Sequence, residues 1–385
     1  RKLAGAATRQ VDLKGRTLLP GFIDGHGHVV DYTVSWTAPD LSPPPVSDAQ
    51  SIAIIQAKLA KYIADTKATP ERLVLAQGYD DGLLAEKRHP TRADLDTVSA
   101  TIPIVIIHSS GHLVVANTPA LARLGYTKDS KDPPGGIIRR DASGEPNGVL
   151  EEKAAYPLLP LIERPSPEEQ LRRLDEIQSW YASFGITTAQ DGLSNPANIA
   201  LLREAAKQKR LVIDIVSYPM WTLLTKVMTG EQKLEGIEYY PPPTVTNAGR
   251  ALESDKPQAT QAAIAGETAP RLKIGLYENG FKIGGVKISG DGSPQGKTAY
   301  MSKPYLNPPP GMPADYRAYP VVEQPEMDQW FDAAFRHNVQ LIVHTNGDAT
   351  IDTLIASVRK ARAAHGAKDL RPVAIHAQTA RPDQV

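Results

Sequence analysis

Within Gly21–Val30, written GFIDGHGHVV, two of the chain's nine histidines stand one residue apart, behind Asp24 and between glycines. In an extended segment alternate side chains share a face, so His26 and His28 point the same way. Two imidazoles side by side pack awkwardly but are well placed to hold one metal ion. His344, in LIVHTNGDA, and His376, in VAIHAQ, each close another apolar run that reads as a strand. Three strand ends therefore each deliver imidazole, and in a parallel α/β barrel such ends share one face. A lone strand-end histidine is an ordinary packing partner, whereas unrelated packing needs would not bring four to one rim.

Four nitrogens exceed the needs of one catalytic zinc with an open position. That points to two ions about 3.5–4 Å apart, with an anion between them. Lys287, in GGVKISGDGS, lies on a strand ahead of His344. Its position leaves two readings open. One is a solvated lysine at a strand end. The other is a buried amine, costly as an ammonium beside metal, that carboxylation turns into a bridging carboxylate.

The elements that must position these groups are legible in outline. Val11 to Pro20 reads as a strand and turn leading into the histidine pair. Ser47, with Gln50 three residues on, reads as a capping box ahead of a helix with Ile52, Ile55, Leu59 and Ile63 on one face. Extended runs follow at Arg72–Gln77 and Ile102–Ile107, and the Gly/Pro-rich segment Pro133–Glu152 reads as a hairpin. Ser166-Pro-Glu-Glu169 is a second capping box. Leu171, Leu174, Ile177 and Phe184 give its helix a buried stripe that Gly185 ends. Strands are expected at GITTAQD, Leu211–Ser217, Gly284–Ser289, Gln340–His344 and Pro372–His376, with helices at Glu326–Arg336 and Ala349–Ala364. Apolar strands alternating with amphipathic helices predict an α/β fold with a parallel sheet. Residues 228–270 and 302–325 lack periodicity and read as excursions or lids.

At 385 residues the chain can bury a large core, and its 43 basic residues balance 43 acidic ones. Nothing in that balance favours nucleic acid or a charged membrane surface. The chain has no cysteine, which excludes thiolate ligands and disulfides. The longest apolar runs are too short to span a bilayer. Cytoplasm and periplasm stay open as compartments. GGIIRRDASG reads as a charged turn, and GDGSPQG lacks the order of a nucleotide loop. Trp180, Tyr181 and Phe184 read as core on a helix; His89, His108, His337 and His365 read as incidental.

LLPGFIDGHGH, VKISGDGSPQGKTA, VHTNGDATID and IHAQ, in this order, resemble the amidohydrolase superfamily, whose fold is a metal-dependent (β/α)8 barrel of the TIM type. SSGHLVVANTPALARLGYT followed by PPGGIIRRDASGEPNGVLEEKA is similar to the branch typified by N-substituted formamide deformylases. The resemblance covers nearly the whole chain. It implies that His26 and His28 bind a first metal, that His344 and His376 bind a second, and that Lys287 fills a bridging slot on strand four as a carbamate. It sets Asp24, His112, Glu152 and Asp291 around that centre as orienting or substrate-contacting groups. For each of Asp24, His112 and Glu152 a purely structural role is equally open. The implied cofactor is a divalent metal, zinc by ligand type, as one or two ions.

The implied domains are the end of a small β-sandwich (1–19), the barrel (20–40 and 166–385, strands one to six) and an insert over the site (41–165). Family members carry a strand-eight aspartate that takes the proton from water. The chain ends at Val385, after the strand-six position, so the expectation is a barrel incomplete in this chain, with no catalytic base nameable from it. The leading functional expectation is a hydrolase of a non-peptide amide C–N bond in a small molecule. The alternatives are a mononuclear deaminase or cyclic-amide hydrolase, and a truncated metal-binding relative without turnover. The expected partner is the small molecule, with a homodimer left open.

Overall fold

The computed structural model describes residues 5–222, 239–240, 271–272 and 274–385. In chain order its strands are β1 (Phe22–Ile23), β2 (Val74–Tyr79), β3 (Ile104–His108), β4 (Leu113–Ala116), β5 (Gly136–Arg140), β6 (Pro146–Glu152), β7 (Ile186–Ser194), β8 (Asp214–Pro219), β9 (Tyr239–Tyr240), β10 (Arg271–Leu272), β11 (Phe281–Ile283), β12 (Val286–Ser289), β13 (Leu341–Thr345) and β14 (Val373–His376). The α-helices are α1 (Tyr32–Ser35), α2 (Ile52–Thr66), α3 (Arg92–Asp96), α4 (Thr118–Leu124), α5 (Pro167–Ser183), α6 (Pro196–Lys207), α7 (Gln324–His337) and α8 (Asp348–His365).

Two bodies of sheet organise them. A parallel wall runs β1-β7-β8-β11 and, through the bridge from Met220 to Lys287, continues as β12-β13-β14. Two of its middle strands are buried on both faces: all five residues of β13 and all four of β12 are buried. That is what a parallel sheet sandwiched between layers requires. Leu171, Leu174 and Ile177 of α5 pack with Ile199 and Leu202 of α6 against Ile215 on one stretch of the wall. Met327, Phe331 and Phe335 of α7 and Leu354 of α8 cover Val286, Ile288 and Val343 on the next. The end strands are different: Phe22 and Ile23 of β1 are exposed, and β14 buries only Ile375. Among the described residues no strand joins β14 to β1, and the wall is open there.

The second sheet, order β2-β3-β4-β6-β5, is built entirely from residues between β1 and β7. β2 and β3 are parallel and the rest antiparallel, with β5 and β6 forming the hairpin read in Pro133–Glu152. Ile52, Ile55 and Leu59 of α2 pack on its core with Ile104 and Ile106. Among the described residues no helix is long and apolar enough to cross a membrane.

Several local expectations change. Ser51, not Ser47, caps α2, accepting from the Ile54 amide. Ser47 instead meets Lys58 Nζ at 3.0 Å, so a tertiary partner takes the hydroxyl that the local pattern assigned to a cap. Residues 11–20 form no strand, and Leu18 and Leu19 are exposed. Phe184 is 60% exposed and Trp180 45%, so of that aromatic trio only Tyr181 is core. Phe184 sits at the helix C-cap, one residue past the turn that would carry it inward. Residues 302–323 are irregular, as expected for an excursion; apart from β9, the excursion at 228–270 lies outside the described residues.

Candidate active site

The parallel wall curls so that its two edge strands approach at their C-terminal ends. The ring of His26, just past β1, lies 5.3 Å from that of His376 on β14 and 5.2 Å from that of His28. His376 is in turn 4.6 Å from His344 at the end of β13. Lys287, on β12, points into this group: it is 2% exposed, and its Nζ is 3.0 Å from His26 Nε2. The bulk of the lysine is buried with its amine among imidazoles, so the reading of a solvated strand-end lysine does not hold.

Local chemistry sets the ring orientations. His26 Nδ1 donates to Gln190 Oε1 at 2.6 Å, which leaves the Nε2 lone pair facing Lys287. The ring fits because residue 192 is glycine: a Cβ there would stand 2.4 Å from His26 Cε1. Gly27 likewise makes room for Asp24, whose Oδ2 would be 2.5 Å from a Cβ at that position. His28 is held by a backbone bridge to Asp191. His344 Nε2 donates to the Gly292 carbonyl at 2.8 Å, leaving Nδ1 free of a proton. A ring nitrogen tied to an oxygen outside, with the other turned inward, is how metal-ligating histidines are oriented.

Asp291 is fully buried and accepts from the amides of Asn346 at 2.9 Å, Gly347 at 2.7 Å and Tyr300 at 3.1 Å. It ties the loop after β12 to the loop that carries His344, and stands 3.7 Å from His344 Nε2. The insert contributes His112 and Glu152. His112 Nδ1 is 2.9 Å from Glu152 Oε2, and its ring lies 4.4 Å from His344. Glu152 Oε1 is buried without a hydrogen-bond partner. Its backbone is left-handed at φ 48°, as is that of His376 at φ 70°. Non-glycine residues rarely hold that conformation, and it gathers at functional sites when the surroundings impose it.

Burial, and then the charge of Lys287, push His26 down to about 4 and His28 to about 3. Burial with Lys287 takes His376 to about 4. Burial, His112 and Lys287 hold His344 well below its ordinary value. Burial alone lowers Lys287 to about 7, and burial, opposed by the hydrogen bonds it accepts, raises Asp291 to about 7. His112 moves the other way: burial lowers it, but the charge and hydrogen bond of Glu152, with Asp291, more than offset that and raise it. The rim therefore presents four neutral imidazoles and an amine that readily loses its proton, a donor set suited to a divalent metal. Gln190, which orients His26, was not singled out from the sequence. Its signal was its place beside Asp191 at the end of a strand expected in the same sheet.

The chain belongs to the amidohydrolase family: the model described as "Amidohydrolase family" matches residues 9–385. Over 212 residues it is 34% identical to the Exoenzymes regulatory protein AepA of Pectobacterium carotovorum subsp. carotovorum, a match covering 53% of this chain and 44% of that protein. Over 199 residues it is 30% identical to the N-substituted formamide deformylase of Arthrobacter pascens, covering 51% of this chain and 36% of that one. The chain thus spans less than half the length of these two relatives in the matched regions. In fold it is similar to an uncharacterized metal-dependent hydrolase from Pyrococcus horikoshii OT3, with TM-score 0.54 and 21% identity over 88% of this chain and 56% of that chain.

Proposed function

We propose that this chain forms the metal-binding face of an incomplete (β/α)8-type barrel that hydrolyses a non-peptide amide C–N bond of a small molecule. The observation that carries the reading is Lys287, a buried lysine among four neutral strand-end imidazoles. His26 and His28 would hold one divalent ion, and His344 and His376 a second. When bound, zinc-like metal supplies Lewis acidity toward the scissile carbonyl and toward water. Lys287, lowered to about 7, offers a neutral amine near physiological pH. That nitrogen can add to CO₂, forming an N–C bond and releasing one proton, and so become an anionic carboxylate between the two histidine pairs. His112, made more basic by Glu152, leans over the rim from the insert, placed to hydrogen-bond a substrate oxygen. The relative named as an N-substituted formamide deformylase suggests formamides as the first substrates to try.

The test is metal content measured together with formate or amine release from N-substituted formamides and simple amides. Near two equivalents of metal with turnover that chelation abolishes and metal restores supports the reading. A second reading, metal binding without turnover, has one observation behind it: the 34%-identical relative is named as a regulatory protein. Full metal loading with no hydrolysis across the panel would put that reading first.

A further inference from the structure

The insert sheet holds a second gathering of imidazole and carboxylate. Asp80 and Asp81 follow β2 directly, and His108 ends the neighbouring strand β3. Among the described residues, these three are the one group of imidazole or carboxylate side chains whose ligand atoms all lie within 4.8 Å of one another. His108 is 1% exposed. Its Nε2 and the Oδ1 of Asp81 are 3.2 Å apart, and neither atom has a hydrogen-bond partner elsewhere. Two ligands at zinc distances, about 2.0–2.1 Å, stand about 3.3 Å apart across a tetrahedral edge. Two buried polar atoms at that separation, with no third partner, are spaced as two ligands of one cation would be.

Their surroundings repeat one pattern. His108 Nδ1 is 2.8 Å from the hydroxyl of Ser110, while Nε2 turns to Asp81. His89 Nδ1 is 3.1 Å from the hydroxyl of Tyr79, while Nε2 lies 3.7 Å from Asp81 Oδ2. In both rings the outer nitrogen rests on an oxygen and the inner one faces the same carboxylate, the orientation expected of metal-bound histidines. We propose that Asp80, Asp81 and His108, with His89 beside them, bind one divalent transition metal of the zinc type on the insert, apart from the rim of the parallel wall. Mixed nitrogen and carboxylate ligands suit zinc and its neighbours rather than calcium or magnesium. The site would brace the turn from β3 to β4, which runs from His108 to His112 and so carries the one insert histidine that reaches the rim.

A metal-free arrangement competes with this. The Ser110 amide, 3.1 Å from His108 Nδ1, would donate to a lone pair there, leaving the ring proton on Nε2 beside Asp81. Dialysis of the full chain against micromolar free zinc, followed by metal analysis, separates the two. Asp81→Asn and His108→Gln should each bind one equivalent less than the parent, and His26→Ala/His28→Ala should keep that equivalent. Equal zinc in the parent and both insert variants would overturn the site and leave a plain imidazole–carboxylate pair. Should either substitution spoil folding, seen by circular dichroism, anomalous diffraction from the zinc-dialysed parent decides alone. A zinc peak within bonding distance of Asp81 and His108 supports the proposal, and no peak there ends it.

Discussion

The parallel wall and the insert sheet both end strands in histidine, but they manage polarity in different ways. In the wall, β12 and β13 are buried on both faces, so a polar side chain has only the strand ends as an outlet. Lys287, His344 and His376 come from three successive strands. The two histidines converge because parallel strands put their C-terminal ends on one side, and Lys287, the second residue of β12, reaches His26 through its long side chain. The insert is mostly antiparallel, and its chemistry sits at turns. A single tight connection places His108 on one side and His112 on the other. The wall thus builds a site by convergence of distant segments, while the insert builds by local reversal. Chemistry on the wall should be separable from folding, whereas the insert's contribution should be largely support.

The largest test of that contrast is His26→Ala with His28→Ala. Hydrolysis should fall to the uncatalysed level and the first metal should go, with the melting temperature of chelated protein little changed, because the wall's core is apolar. A double variant that keeps its metal content would show that these two are not ligands. On the insert, Ile106→Ala should do the reverse. Ile106 is fully buried in β3, an interior strand of the sheet, and its truncation should cost about 2–5 kcal/mol. Denaturant titration would measure this while rim metal content holds steady; a loss of rim metal at full folding would erase the contrast.

A smaller effect is expected one step from the metal. Gln190→Ala removes the acceptor that holds His26 Nδ1, and affinity for the first metal should drop about 10–100-fold. Competition with a chromogenic chelator would read it, and an unchanged affinity would make Gln190 mere packing.

Glu152→Gln joins the two regions. Glu152 raises His112, and a raised histidine stabilises fully below its unfolded value, about 6.5, losing that contribution as pH climbs past the folded value. In chelated protein the variant should therefore be more destabilised below the unfolded value of about 6.5 than above the raised folded value. Melting curves across that range check the sign, and a penalty independent of pH would mean that the pair is not charged. The smallest effect is at a helix end: Ser51→Ala should cost about 1 kcal/mol by removing the α2 cap. Ser47→Ala should cost less, since its hydroxyl serves an already paired lysine.

Much of the fold was legible because its signals are local. The apolar runs at Gln340–His344 and Pro372–His376 correspond to β13 and β14, and the periodic stretch at Glu326–Arg336 lies within α7. The sequence pattern sets the cap one turn early because Ser47 and Ser51 offer the same local chemistry, and only Lys58 and the packing of α2 tell them apart. Phe184 fits the apolar stripe by spacing, but the helix stops before it.

What the amino-acid order determined by itself was therefore the set of elements and the ligand types at their ends, along with the family motifs that run through them. These depend on neighbours within a few positions, through periodicity, caps and turns. Tertiary structure decided which of those groups meet. His26 and Lys287 are 261 positions apart in the chain and 3.0 Å apart in space. The burial that brings the lysine to about 7 comes from the surrounding fold rather than from adjacent residues. The same holds for His108, which looked incidental along the chain. It acquires a carboxylate partner only because β2 and β3 pair in parallel, setting the residues that follow Tyr79 beside the end of β3.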